Sequence, residues 1–274
     1  MMTAEPTHAE VAEQIRSLEW IRRVRPAPVQ GFVASFMAAR HPRLVVCDDQ
    51  GLRLYVHPFT NAGMQVIKDG GYETETRQAL NRLLTPGDVF LDIGANEGIL
   101  SAFVGDKVGR TGKVISVEPQ NHLLDLIRIN CALNGIEPTI INGAIGGADG
   151  TRGELNIFPW INSGASSVLN RNRFAGRKQT FEFYSIERIM ELAEVDHFDV
   201  VKIDVEGFEG SVIEAMADVM SAGKVSKMLL DYHDWILEPR GLSAEAIHKR
   251  VESCGMHAVT RSKFAGYVVY ERGS

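Results

Sequence analysis

Val89-Phe90-Leu91-Asp92-Ile93-Gly94-Ala95-Asn96-Glu97-Gly98 is the stretch that decides the fold of this chain. Val89, Phe90, Leu91 and Ile93 make an apolar, β-favouring run, read as a buried strand that ends in the carboxylate of Asp92. Gly94 and Gly98 then turn the chain sharply into a helix and let the backbone come close to a ligand and to the neighbouring helix. This is the shape of a nucleotide-type cofactor loop. A dinucleotide fingerprint places a further glycine where Asn96 stands, so a nicotinamide oxidoreductase is a distant alternative.

The residues that follow extend the sheet. Lys113 to Glu118 is a second apolar strand ending in a carboxylate, stopped by Pro119. In a doubly wound sheet its carboxyl end lies beside the first strand, where Glu118 is placed to accept hydrogen bonds from two vicinal ribose hydroxyls. Leu123, Leu124, Ile127, Ile129 and Leu133 recur at helical spacing over 121–134, and Thr139 to Ile145 is a third apolar run. Further on, Phe198 to Asp204 and Val225 to Tyr232 read as strands four and five. Their carboxyl ends deliver Asp204, Glu206, Asp231 and His233 to the ligand crevice.

Asp92 to Asn96, Glu118-Pro119, Ala144-Ile145-Gly146, Ser166-Ser167 and above all Val201 to Glu209 give the chain a resemblance, over about residues 70–271, to the FkbM family of S-adenosylmethionine-dependent methyltransferases. The resemblance implies a class I methyltransferase fold, Rossmann-like, with a seven-stranded, mostly parallel sheet and helices on both faces. It implies S-adenosylmethionine as cofactor, contacted by Tyr72, Glu73, Asp92, Gly94, Ala95, Asn96, Gly98, Glu118, Pro119, Ala144 and Asp204. It also implies methyl transfer to a hydroxyl of a sugar, polyketide or other small metabolite. N- or C-methylation by the same fold, and a non-catalytic cofactor-binding assembly protein, are the alternatives.

Length and charge agree with one catalytic domain carrying a modest addition. The organisation expected is an N-terminal helix and β-hairpin cap over 1–69, then a methyltransferase domain over 70–274 with an antiparallel β insertion at about 146–183. The helix, at residues 9–25, is amphipathic, with Arg22, Arg23 and Arg25 on it. It is a candidate for packing on the core or pairing two copies in a homo-oligomer. A net charge of −6 without basic blocks argues against a nucleic-acid partner. Three distant cysteines suit reduced thiols rather than a disulfide framework, and no apolar run approaches a membrane span, so a soluble cytoplasmic protein is expected.

In the insertion, short β-like runs at 154–158, 166–169 and 179–183 put Trp160, Asn162, Ser166 and Ser167 forward as acceptor contacts. Arg171, Arg173, Arg177 and Lys178 form a local basic cluster. The catalytic candidates are Asp204, Glu206 and His233, with neutral His233, also a substrate contact, taking the proton from an attacking hydroxyl. Four carboxylates, Asp204, Glu206, Glu209 and Asp231, raise a weaker reading in which Asp204 and Asp231 hold a magnesium ion. The alternative for Glu209 is a carboxylate favoured at a helix start, and for Glu73 a helix cap.

Overall fold

The computed structural model describes residues 42–157, 177–237, 242–262 and 266–273. The helix expected over 9–25, the run at 166–169, and Trp160, Asn162, Ser166, Ser167, Arg171 and Arg173 lie outside the described residues.

The chain opens with an antiparallel hairpin, β1 (Leu44–Cys47) and β2 (Arg53–Val56), with Leu44 opposite Val56. Two helices follow, α1 (Asn61–Asp69) and α2 (Thr74–Leu83). The alternating units are then β3 (Val89–Ile93), α3 (Ile99–Val108), β4 (Lys113–Val117), α4 (Asn121–Ala132) and β5 (Thr139–Ile141). A second hairpin, β6 (Arg152–Ile157) and β7 (Arg177–Glu182), precedes α5 (Ile186–Ala193), β8 (Phe198–Ile203), α6 (Glu209–Ser221) and β9 (Val225–Asp231). The short α7 (Asp234–Leu237), α8 (Ala244–Ser253), β10 (Met256–Arg261) and β11 (Tyr267–Arg272) complete it.

Seven strands form the central sheet in the order β10-β11-β9-β8-β3-β4-β5. All are parallel except β11, which runs antiparallel to both neighbours. From β3 the chain winds outward through β4 and β5, then returns to β8 and β9 on the other side. The winding therefore reverses between β3 and β8, and a crevice opens there at the carboxyl ends of the strands.

Alternation along β3 explains the layers. Val89, Leu91 and Ile93 face a core shared with α5, α6 and α8, while Phe90 faces the opposite core with α1 to α4. Leu54 and Val56 of the first hairpin and Val66 and Ile67 of α1 join that second core, so the cap packs directly on the sheet. The fully buried Arg77 on α2 pairs with Asp48 beyond β1 and lies over the Phe103 ring, pinning the cap to α2 and α3.

Two local readings are corrected. Residues 61–69, placed with the hairpin in the cap expected over 1–69, form α1: the Thr60 hydroxyl accepts a hydrogen bond from the Gly63 N–H, and Gly70 ends the helix at φ 80°. On α4 the buried face is Leu123, Leu126, Ile127, Asn130 and Cys131, and Ile129 is exposed. Asn130 takes an inward position because its side chain satisfies the backbone, donating to the Glu97 carbonyl and accepting from the Tyr55 N–H.

Candidate active site

A cavity of about 330 Å³ occupies the crevice at the winding reversal. It gathers Tyr72, Glu73, Gly94, Ala95, Asn96, Glu118, Pro119, Ala144, Asp204, Glu206, Asp231 and His233, residues expected from sequence to share a site. Asp92 and Gly98 are not part of its wall. Asp92 is fully buried, accepting from the Ser101 hydroxyl at 2.6 Å and lying 3.4 Å from the Lys202 ammonium. A side chain at Gly98 would meet the Cα of Ile127 at 2.7 Å, so that glycine serves the packing of α4.

The cofactor loop is a backbone construction. Gly94, Asn96 and Gly98 have φ of 83°, 52° and 75°, and asparagine tolerates this left-handed region better than most residues. Gly94 and Ala95 N–H groups both donate to the Val117 carbonyl, clasping the loop to the end of β4. Gly94 has a second constraint: a Cβ there would lie 2.0 Å from the Asp204 carbonyl oxygen. The sequence reading assigned this glycine to ligand approach; the first obstacle is the β8 backbone, so a larger residue disrupts the junction of β3 and β8 as well as the cavity.

Glu118 is 3 % exposed, just past β4, and its two carboxylate oxygens accept from the Asn96 N–H at 2.8 Å and the Gln120 N–H at 2.9 Å. Burial nevertheless raises its pKa to about 7, outweighing those two donors. The Gln120 side chain adds a third hydrogen bond, and a ligand hydroxyl donating to either oxygen would favour the ionised carboxylate further.

At the other end of the cavity side chains hold one another. Lys202, within the apolar run of β8, places its ammonium 3.4 Å from Asp92 and 3.4 Å from Asp204, and donates to the Gly94 carbonyl at 3.3 Å. Burial alone would lower its pKa, but Asp204, Asp92, Glu73 and Asp231 together hold it above the usual lysine range. His233 directs Nδ1 to Glu209 Oε1 at 2.7 Å, while Nε2 stands 3.6 Å from Asp204 and 3.7 Å from Glu206. Burial would lower the imidazole pKa, yet these three acids raise it to about 9. The three acids therefore favour the protonated ring over the neutral one expected from sequence. Burial pushes Glu206 and Asp231 up to about 7.

Glu73 sits at the N-cap of α2 but makes no side-chain capping bond, so the capping alternative does not hold. Its φ is 46°, and burial raises its pKa. Of the non-glycine residues with positive φ among the described residues, Glu73, Asn96 and Glu206 line this cavity. Concentration of left-handed backbone at one wall is a mark of a functional site. Glu209 does more than favour a helix start: fully buried, it accepts from both the Gly207 N–H and His233.

Sequence reasoning missed several wall residues. For Lys202 the available signal was a lysine inside a strand of buried apolar residues. Glu97, 2 % exposed and paired with Arg43 at 3.1 Å, had no distinguishing signal. Leu155 of β6 also lines the cavity, and opposite it in the hairpin register stands Gln179. Gln179 donates to the Pro119 carbonyl at 2.6 Å and accepts from the Asn121 N–H at 3.2 Å, capping α4 from outside. Of the expected basic cluster, Lys178 pairs with Glu154 on an exposed face.

A sheet of this order, with a glycine-turned first strand, an acid beyond the second and a polar crevice where the winding reverses, defines a Rossmann-like class I methyltransferase fold. Residues 92–256, more than half of the chain, match the methyltransferase FkbM domain. The chain belongs to the FkbM methyltransferase family, whose cofactor is S-adenosylmethionine. It is also 29 % identical over 139 residues to the ribosomal protein L11 methyltransferase of Thermus thermophilus, and spans about half the length of that curated relative (50 % of this chain, 49 % of the other). Among solved structures, a methyltransferase from Pyrococcus furiosus covers 73 % of this chain and 83 % of its own at 13 % identity and a TM-score of 0.41. Fibrillarin from Aeropyrum pernix, in complex with S-adenosyl-L-methionine, covers 72 % and 73 % at 14 % identity and 0.42.

The cavity suits that cofactor. Its wall carries six carboxylates, Glu73, Glu97, Glu118, Asp204, Glu206 and Asp231, against Lys202 and His233. S-Adenosylmethionine brings a sulfonium, an ammonium and ribose hydroxyls, the positive charge and donors such a wall lacks. Among the described residues no helix is long and apolar enough to cross a membrane.

Proposed function

We propose that this protein methylates a hydroxyl group on a small metabolite of the sugar or polyketide kind. The observation that carries the reading is the pairing, within one cavity, of a ribose-ready acid at Glu118 with the Asp204, Glu206 and His233 cluster at the ends of β8 and β9. Bound S-adenosylmethionine supplies a methyl group on a sulfonium centre, open to in-line displacement by an oxygen nucleophile.

Glu118 takes the ribose hydroxyls, the Gly94 to Asn96 turn and Ala144 shape the wall, and Tyr72 and Glu73 face the methionine end. The acceptor oxygen belongs beside Asp204, Glu206 and His233, and their first task is to fix its line of approach. The oxygen sheds a proton as the new bond forms, and the carboxylates of Asp204 and Glu206 are the groups placed to receive it. Glu209 acts through His233 by fixing its ring. The acid-rich wall and the net charge of −6 disfavour a polyanionic acceptor such as RNA, which supports a small hydroxylated substrate.

Isothermal titration of the purified chain tests the first half of this reading. S-Adenosylmethionine and its demethylated product bind, and NAD and NADP do not; tight nicotinamide binding with no response to S-adenosylmethionine sinks the assignment. Transfer of labelled methyl to a panel of hydroxylated metabolites, with amines, ribosomal protein and RNA alongside, tests the second half. Label entering only the amine, protein or RNA arms overturns O-methylation of a small molecule.

A further inference from the structure

We propose that Asp204, Glu206 and His233 form a binding site for a divalent cation of the manganese or zinc kind at the acceptor end of the cavity. The inference deepens the function proposed above and rests on its placement of the acceptor oxygen.

One ligand atom from each of the three side chains lies within 4.8 Å of the others. His233 Nε2 is 3.6 Å from Asp204 Oδ1 and 3.7 Å from Glu206 Oε2, longer than the hydrogen bonds that an imidazolium facing two carboxylates ordinarily makes. Ligands at about 2.1 Å from one ion stand about 3.0–3.4 Å apart, so His233 Nε2 already stands within a few tenths of an ångström of that spacing from each carboxylate.

The second observation lies behind the ring. Glu209, with no exposed surface, accepts from His233 Nδ1 at 2.7 Å and is itself held by the Gly207 N–H at 2.9 Å. A carboxylate on Nδ1 assigns the proton to that nitrogen and turns Nε2 toward Asp204 and Glu206. This backing orients the imidazole ligands of metal centres.

The donor set selects the ion. One imidazole with two carboxylates suits Mn2+ or Zn2+, whereas magnesium favours oxygen ligands throughout. This group differs from the weaker reading of a magnesium ion at Asp204 and Asp231: the imidazole enters it and Asp231 does not. A cation held by Asp204, Glu206 and His233 would lower the pKa of an acceptor hydroxyl placed beside it.

The test uses the full chain, stripped with chelator and titrated with MnCl2 without cofactor. Free Mn2+ is followed by electron paramagnetic resonance, and imidazole coordination by nitrogen-14 coupling to bound Mn2+. One equivalent is expected to bind with nitrogen coupling. Asp204→Asn and His233→Gln each weaken binding at least ten-fold, His233→Gln abolishes the coupling, and Glu191→Gln, on the exposed face of α5, binds as the parent does. Thermal melts establish that the variants are folded. Absence of stoichiometric Mn2+ and Zn2+ binding in a folded chain that binds S-adenosylmethionine overturns this proposal alone, as does binding that both variants leave unchanged. Cation binding without any response to S-adenosylmethionine overturns the methyl-transfer reading and leaves the cation site standing.

Discussion

The two ends of the cavity are built by different physics. At the β3–β4 end the backbone does the holding: left-handed turns at Gly94 and Asn96, two N–H groups on the Val117 carbonyl and two on the Glu118 carboxylate. At the β8–β9 end side chains hold one another, with Lys202 between Asp92 and Asp204 and His233 among Asp204, Glu206 and Glu209. A backbone-built site tolerates the loss of one side chain. A site of mutually paired charges does not, because each removal strands a buried partner.

Lys202→Met is the strongest test of that difference. It leaves Asp92 and Asp204 without their shared cation, and breaking a buried pair in this way costs about 3–5 kcal/mol. Urea denaturation is expected to show a loss of that order; a change below about 1 kcal/mol places the charge balance elsewhere.

Glu118→Ala is the counterpart at the backbone-built end. It removes the charged acceptor for the ribose hydroxyls, worth about 1.5–3 kcal/mol, so S-adenosylmethionine binds about ten-fold or more weakly by calorimetry. The turn itself survives, and a cofactor-free melt shows the variant folded. An unchanged dissociation constant shows that the ribose is held by other groups.

The same residue makes stability depend on pH. Its folded pKa of about 7 exceeds the ordinary 4.5, so the folded cofactor-free chain binds the extra proton between those values. The contribution is fully present below about pH 4.5 and is lost as pH rises through about 7. The melting temperature of the cofactor-free chain minus that of Glu118→Ala, measured at equal ionic strength, therefore falls from about pH 5 to about pH 8. A flat or rising difference contradicts the burial-raised pKa.

The smallest expected effect is at Gln179, which joins the second hairpin to the Pro119 and Asn121 turn. Gln179→Ala removes neutral hydrogen bonds worth about 1 kcal/mol, and cofactor affinity drops about five-fold with global stability little changed. No change in affinity shows that the hairpin is not coupled to the ribose site.

What was legible in the sequence follows the same division. The cofactor loop is a run of ten consecutive residues whose glycines, asparagine and apolar strand each reflect a local demand on backbone or burial. Continuous apolar runs placed the parallel strands as well, since burial on both faces leaves no polar alternation. Helix α1 was missed because its Thr60 cap lies close behind the hairpin it was merged with. The inward face of α4 was displaced because a polar residue, Asn130, occupies a core position for reasons that lie in other segments.

By itself, then, the sequence determined the sheet, the glycine turn, the acid beyond β4 and the family, because these depend on short-range propensity and periodic burial. Only the tertiary structure decided that Gly94 abuts the Asp204 backbone, that Glu209 backs His233, that Asp92 serves Lys202 rather than the cavity, and that three acids around His233 raise its pKa. Those properties are sums over charges and contacts from β3, β8, α6 and the end of β9. Such sums are set by distance in space, and neighbours in the chain do not specify them.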